Sequence, residues 1–359
     1  MKAAIADGLG EYALEEVELL PLGPTDVRVR TIAALACITD VHARRNGKSP
    51  GLAKPHIRGH AAIGEVVEVG PRVRRTEVGD RVVVVSRPQC GTCWWCLHDQ
   101  PYECATTAVA PPDVARRANG ELLKSSARVG SYAEEMRLAE ATVVPVRDTT
   151  LSDDELLMLS CGATTGFGAA FHTVPVRPGQ TVVVLGAGII GLSIMQAPRV
   201  AGAENVVAVE PLAHRREYAL GMYATHVARD AKEAQELLAD LTQGRGADIA
   251  FEAVGTPAAL QEAFTLTRRG GDVVGTGLGS WDDTLVLPFN QMTLRSKRLS
   301  GCQFGSTNIT RDIPDYVRQI ELGRLEVKSL IGERFPLDRI NEALDALEEY
   351  RTLGAIIVP

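Results

Sequence analysis

Four of the seven cysteines, Cys90, Cys93, Cys96 and Cys104, fall within fifteen residues in the stretch CGTCWWCLHDQPYEC. Four thiolates at this spacing can close a tetrahedral shell around zinc and leave no position open, the chemistry of a metal that staples a loop. A redox CxxC pair or an iron–sulfur cluster would use the same residue type; the closed shell and the lack of other cluster signals favour structural zinc. Three scattered residues offer different chemistry: Cys37 in ACITDVH, His60 in RGHAAIG and Cys161 in LSCGATTG. Two thiolates and an imidazole would leave one zinc position open for a substrate oxygen. Spacing alone does not gather them, and lone cysteines are often packed core residues, so both readings stand at this point.

A nucleotide site is written in TVVVLGAGIIGLS, where Gly186, Gly188 and Gly191 form G-x-G-x-x-G between a strand-like and a helix-like run. The first glycine permits a tight turn, the second admits a pyrophosphate to the backbone, and the third lets helix and strand pack closely. The helix N-terminus adds its positive dipole. Ile190 lies in the same loop. Glu210, nineteen residues beyond Gly191 at the end of NVVAVE, can accept hydrogen bonds from the adenosine ribose and would repel a 2′-phosphate. His214, Arg215 and Arg216 follow closely and could accommodate such a phosphate; Arg215 is counted with the cofactor-binding residues, and NAD is favoured over NADP. The alternative is a glycine-rich turn in an unrelated α/β sheet.

These residues need a scaffold. With 359 residues and 38.5 kDa, the chain is long enough for about two domains of about 100–200 residues each. A hydrophobic fraction of 45% lets it bury its cores without disulfides, so the odd cysteine count suits metal or catalytic use. The net charge of −7 argues against a nucleic-acid-binding surface, which would need a basic stripe to neutralise phosphates. The N-terminus lacks a signal-peptide core, and no apolar run approaches the ~20 residues of a membrane span. The expectation is a soluble, cytoplasmic protein.

Up to about residue 150 the chain reads as short strands, among them VRVRTIAALA, GEVVEVG and DRVVVVS, with no long amphipathic helix. Residues 105–129 read as a long loop. LSDDELLMLSCGATTGFGAAF reads as a helix capped by Ser152, with Asp153, Asp154 and Glu155 at its positive end. Beyond it, the strands TVVVLG, NVVAVE, ADIAFEAVG and GDVVGTGL alternate with helical segments such as DAKEAQELLADLTQ, predicting a parallel sheet covered on both faces. Ile340, Ala343, Leu344 and Leu347 mark one face of a last helix, and the strand GAIIVP follows.

Taken together, the chain resembles a zinc-dependent medium-chain alcohol dehydrogenase over essentially its whole length. C-x-T-D-x-H, GH-x-x-x-G-x-V-x-x-VG, V-GDRV, the four-cysteine lobe, GSYAEE, SCGATTGFGA, the glycine fingerprint and INEALDAL arrive in the family's order. The resemblance implies an α/β architecture: a GroES-like β-rich catalytic domain at 1–161 and 306–359, interrupted at 162–305 by a Rossmann cofactor domain with a doubly wound parallel sheet. It aligns Cys37, His60 and Cys161 with the catalytic zinc ligands, Thr39 with the hydroxyl that bonds the substrate oxygen, and Asp40 with the carboxylate orienting the ligand histidine. His42 falls at the end of the proton relay. The implied activity is NAD-linked interconversion of an alcohol with an aldehyde or ketone, by a homodimer or homotetramer holding two zinc ions per chain.

The chain also departs from the family. Ala61 stands where relatives commonly carry Glu, directly after the ligand histidine. Gly354 occupies the place of an Arg that meets the cofactor pyrophosphate, with Arg351 three residues earlier. Pro198 should kink or shorten the helix after the glycine loop. Arg44, Arg45, Lys48, Lys54 and Arg58 crowd one segment; an ordinary reading makes them a solvated loop, a sharper one turns some of them towards an anionic substrate. Ser86 is expected near the pocket, where relatives carry an aromatic, and Cys302 in a packed core. Two rivals remain: a C=C or C=N reductase with an altered or absent catalytic zinc, and a nucleotide-binding redox sensor without turnover.

Overall fold

A computed structural model describes residues 1–46 and 55–359, so Lys48 and Lys54 lie outside the described residues. The chain divides into two compact units, one of Met1–Cys161, Asn308–Leu322 and Val327–Pro359, the other of Gly162–Thr307 and Gly323–Glu326.

The first unit contains a closed barrel and a seven-stranded sheet. The barrel runs through Lys2–Ala6, Ala13–Leu19, Asp113–Arg117, Leu122–Ser125 and His56–Ile57, around Ile5, Val17, Ile57, Ala115 and Leu123. In the sheet, Asp26–Ala36 is the long central strand. It pairs antiparallel with Ala62–Val69, Glu135–Ala139 and Ala355–Val358. Its alternating burial, and a core of Val27, Val29, Ala34 and Ala36 against Ile340, Leu344 and Leu347, explain why the C-terminal helix Ile340–Glu348 belongs to this unit.

Two expectations are corrected here. Residues 105–129 are not one long loop: Asp113–Arg117 and Leu122–Ser125 form an antiparallel hairpin of the barrel. Its turn has Ala118 and Asn119 at its centre and Gly120 at φ +86° after them, closed by the Gly120 N–H on the Arg117 carbonyl at 2.9 Å, with the Asn119 carboxamide accepting from the Glu121 N–H. The N-terminal region is also not purely strand, since Ile38–Asn46 is a helix of nine residues, too short and too polar to stand out by periodicity.

The second unit is a six-stranded parallel sheet in the order His226–Ala228, Asn205–Val209, Thr181–Leu185, Ala247–Glu252, Thr267–Gly275, Arg298–Gly301. The chain enters at the centre, builds outward one way, then returns to build the other. Between Thr181–Leu185 and Ala247–Glu252 the order reverses, the switch point where such sheets open a crevice at their carboxyl ends. Thr181–Leu185 and Asn205–Val209 are buried along their whole length, as apolar strands covered on both faces must be.

The run from Ser152 does start a helix, Asp153–Met158, closed by a capping box between Ser152 and Glu155. It is not continuous, however. The backbone turns at Leu159 and Ser160, and a second helix starts at Gly162. Pro198 lies inside the helix Ile189–Val200, which ends two residues later. Among the described residues no helix is long and apolar enough to cross a membrane.

Candidate metal and nucleotide sites

Strand register brings the scattered trio of the first unit together. Ala34 pairs with Ala62, and the Leu35 N–H donates to the Ala61 carbonyl at 3.0 Å, so Cys37 and His60 leave adjacent strands side by side. Gly59 lets the backbone just before His60 pass close to Ser131 and Tyr132: it sits at φ +91°, and a Cβ there would fall 2.3 Å from Ser131 Oγ and 2.8 Å from the Tyr132 nitrogen. Cys161 arrives from the turn after the capped helix. The result is Cys37 Sγ at 3.2 Å and Cys161 Sγ at 3.5 Å from His60 Nε2, with all three ligand atoms within 4.8 Å of one another. A tetrahedral zinc with bonds of about 2.3 Å to sulfur and about 2.1 Å to nitrogen separates those atoms by about 3.6 Å, so the residues fit the ion.

Asp40 performs two tasks from the first turn of the helix Ile38–Asn46. Its Oδ2 accepts from the Cys37 N–H at 3.2 Å, capping the helix, and its Oδ1 accepts from His60 Nδ1–H at 3.3 Å, which leaves Nε2 for a metal. Burial pushes the Asp40 carboxyl up, but the charge and hydrogen bond of His60 outweigh it and hold it below the usual range. Burial likewise opposes an imidazolium at His60, yet the Cys37 thiolate and Asp40 raise it well above the ordinary value. The hydrogen bond between the two cysteines pushes Cys37 up and Cys161 down. A metal entering this cluster must therefore displace protons.

Thr39 places its hydroxyl 3.0 Å from Cys37 Sγ. His42 is on the same helix, three residues on, exposed, and its imidazolium is disfavoured by partial burial and by Arg45. Among the described residues no hydrogen bond joins Thr39 to His42. Arg44 and Arg45 do not follow the sharper reading: Arg44 bonds Asp345 at 2.6 Å and Glu348 at 2.9 Å, and Arg45 pairs with Glu348. Both are spent on tying this helix to the C-terminal one. Arg58 is not part of a solvated loop, being only 2% exposed. Tyr12, whose hydroxyl donates to the Asp40 carbonyl at 3.2 Å, is invisible to sequence reasoning, because it stands twenty-eight positions and two strands before it.

The four-cysteine loop holds Cys90, Cys93, Cys96 and Cys104 with their sulfurs within 4.8 Å of one another. Backbone N–H groups point at the sulfurs: Cys93 N–H to Cys90 Sγ and Cys90 N–H to Cys104 Sγ at 3.4 Å each, and Ala105 N–H to Cys93 Sγ at 3.5 Å. Burial raises the Cys90 thiol, but donation from Thr92 and Cys93 wins and brings it down to about 6. Donors arranged this way stabilise thiolates, and the donor set suits a closed zinc shell.

In the second unit the glycine fingerprint takes the shape its sequence predicts. Gly186 is at φ +96°, and a Cβ on Gly191 would fall 1.9 Å from the Gly186 carbonyl oxygen. Gly188 caps the helix Ile189–Val200, and Ile190 lies half-buried in its first turn. Glu210 closes the crevice, its carboxylate accepting from the N–H groups of Ala187 at 2.9 Å and Leu212 at 3.0 Å. Arg215 is half-buried in the first turn of Ala213–Met222, whereas its neighbour Arg216 is turned back onto the Glu210 and Pro211 carbonyls at 2.7 Å each. In the first unit, Arg351 pairs with Glu349 at 2.7 Å. Cys302 is half-buried and accepts from the Thr173 hydroxyl at 3.3 Å.

Known proteins bear on these sites. Residues 23–148 match the alcohol dehydrogenase GroES-like domain, and residues 190–321 match the zinc-binding dehydrogenase family. The chain is 34% identical to the NDMA-dependent alcohol dehydrogenase of Amycolatopsis methanolica, covering 99% of this chain and 98% of that one. It is 31% identical to alcohol dehydrogenase B of Mycobacterium tuberculosis, over 96% of this chain and 94% of the relative. The crystal structure of benzyl alcohol dehydrogenase from Acinetobacter calcoaceticus superposes with a TM-score of 0.89 at 28% identity, over 99% of this chain and 98% of that one. With both family domains matched in order along a chain related over its full length, this protein belongs to the zinc-dependent medium-chain alcohol dehydrogenase family.

Proposed function

We propose that the protein is a zinc-dependent, NAD-linked oxidoreductase that interconverts an alcohol with an aldehyde or ketone. The observation that carries the reading is the convergence of Cys37, His60 and Cys161 beside the Thr39 hydroxyl, with Asp40 fixing the histidine tautomer. A zinc ion held by the three would supply Lewis acidity towards an alcohol or carbonyl oxygen. Around it, Asp40 orients His60, and Thr39 is the hydroxyl able to take a proton from the substrate oxygen. His42, on the same helix and exposed, is the group that would pass that proton to solvent. Cys90, Cys93, Cys96 and Cys104 would hold a second zinc with a purely structural role.

On the nucleotide side, Gly186, Gly188, Ile190 and Gly191 would cradle the pyrophosphate, with Glu210 on the adenosine ribose and Arg215 close by. A buried carboxylate at that position favours NAD over NADP. The same reading makes the protein a cytoplasmic homodimer or homotetramer acting on a small alcohol or carbonyl compound.

Zinc per chain and alcohol-dependent reduction of NAD test it together. Two zinc ions and NADH formation across a panel beginning with benzyl alcohol are expected. Because the Amycolatopsis relative is named for its dependence on NDMA, the panel is run with NDMA as well as NAD. One zinc ion, unchanged after metal is added back, would remove the metal-assisted step and leave the C=C or C=N reductase reading.

A further inference from the structure

The helix Ile38–Asn46 carries Thr39, Asp40 and His42, yet little apolar surface holds it in place. Of its side chains as far as Arg45, only Asp40, Val41 and Arg44 are buried, and Val41 alone is apolar. Nine residues are also too few for a helix to be stable by itself. Its position has to come from polar ties, and these lead to the C-terminal helix Ile340–Glu348, whose Ile340, Ala343, Leu344 and Leu347 are seated in the core of the sheet.

That helix grips both ends of the shorter one. At the last turn, Arg44 Nη1 donates to the Asn341 carbonyl at 3.3 Å, and Nη2 to Asp345 and Glu348 at 2.6 Å and 2.9 Å. At the first turn the grip runs through Tyr12. The Asn341 carboxamide donates from Nδ2 to the Tyr12 carbonyl and accepts on Oδ1 from the Tyr12 N–H, at 2.9 Å each. Two such bonds copy the exchange within a hydrogen-bonded pair of an antiparallel ladder, so they fix Tyr12 in position and direction. The Tyr12 hydroxyl then donates to the Asp40 carbonyl at 3.2 Å. The ring between these bonds is buried, with the Arg58 guanidinium carbon 5.0 Å from its centroid. Burial pushes the phenol up to about 12, which keeps it a neutral donor.

We infer that Tyr12, held by Asn341, is a positioning residue that fixes the first turn of the helix Ile38–Asn46, so that the Thr39 hydroxyl meets the substrate oxygen. This role rests on Thr39 being the hydroxyl that serves the substrate beside the three-residue metal site. Reacting groups tolerate little displacement, about 1 Å costing roughly 100-fold in rate. Loss of the Tyr12 hydroxyl loosens the turn without removing any side chain from the site.

Tyr12→Phe removes only the hydroxyl, Asn341→Ala removes both bonds to the Tyr12 backbone, and the double variant removes the whole chain of contacts. Two readouts are taken: hydride transfer in a single turnover of alcohol with NAD, and amide hydrogen exchange over residues 38–45. Each single variant is expected to transfer hydride about tenfold more slowly, with the KM for alcohol within about twofold of the parent and zinc per chain unchanged. Exchange over 38–45 should quicken about 3–10-fold, the worth of one neutral hydrogen bond, while the hairpin at 113–125 exchanges as before. The double variant should be no slower than the slower single, because both residues act along one path. Val17→Ala, a truncation in the barrel core, supplies the comparison for destabilisation alone and should keep the parental rate. Unchanged hydride transfer or unchanged exchange in Tyr12→Phe overturns the inference, as do losses that multiply in the double variant or an equal loss in Val17→Ala. If Asn341→Ala does not fold, Tyr12→Phe decides alone. A parent that turns over no alcohol with NAD or NDMA refutes the reading of the site, and the exchange measurement still decides whether Tyr12 holds the turn.

Discussion

Asp40→Asn is the substitution whose cost the geometry defines best. The carboxylate is 3% exposed and accepts two hydrogen bonds, from the Cys37 N–H at 3.2 Å and His60 Nδ1–H at 3.3 Å. An asparagine keeps the shape but loses the charge, and its NH2 group must face one of the two donors. Hydrogen bonds to a charged group contribute about 1.5–3 kcal/mol and neutral ones about 0.5–1.5. Both contacts are longer than the roughly 2.7–2.9 Å of strong charge-assisted pairs, which puts the loss near the low end. About 1 kcal/mol for each, or about 2 kcal/mol together, corresponds to zinc bound about 30-fold more weakly, within the range for lost outer partners of a ligand histidine. The assay is dialysis against graded chelator followed by elemental analysis, with the four-cysteine site retaining its ion as the reference. An Asp40→Asn protein that keeps both ions as firmly as the parent would refute the placement of Asp40 behind the ligand.

Three further outcomes follow from other parts of the molecule. Gly191→Ala places a methyl 1.9 Å from the Gly186 oxygen, so the protein should lose about 1–3 kcal/mol in urea unfolding and its nucleotide binding with it; retained NAD affinity would contradict the close helix–strand approach. Glu210→Ala removes the acceptor of two loop N–H groups, and NAD affinity should fall about tenfold while the preference over NADP narrows, both read by isothermal calorimetry. Lys297 is 8% exposed, its Nζ bonded to the Phe264 carbonyl, and burial brings it down to about 8 from the ordinary 10.5. The unfolded chain therefore binds more protons between those values, so stability should rise as pH climbs from about 8 to about 10.5, and Lys297→Met should abolish that rise in denaturant melts.

What the sequence makes legible is whatever chemistry is local. The glycine fingerprint is contiguous, so turn, helix start and acidic partner could be assigned from spacing, and the helix cap at Ser152 likewise. The four cysteines are contiguous in the same sense. Cys37, His60 and Cys161 are not; only the register of two strands and a broken helix gathers them, and resemblance has to stand in for geometry. The hairpin at 113–125 was missed although Asn119–Gly120 is a turn signal, because its flanks, ARR and ELLK, alternate too weakly to announce strands. Arg44 and Arg58 illustrate the reverse limit. Both are charges in one polar stretch, yet one serves a helix–helix tie and the other is buried beside a ligand, a distinction set by residues some three hundred and some fifty positions away.

The four-cysteine loop is held in a manner that ordinary unfolding experiments do not sense. Trp94, Trp95 and Leu97 are already 58%, 40% and 67% exposed in the folded protein, so the loop is organised around its cysteine cluster and the N–H groups aimed at it rather than around an apolar core. Denaturant slopes and heat-capacity changes scale with the surface newly exposed. Opening this loop exposes little that is not already wet, so it can come apart with almost no mark on a calorimetric trace. Tryptophan fluorescence, which reports the surroundings of Trp94 and Trp95 directly, is the signal in which such silent opening becomes visible.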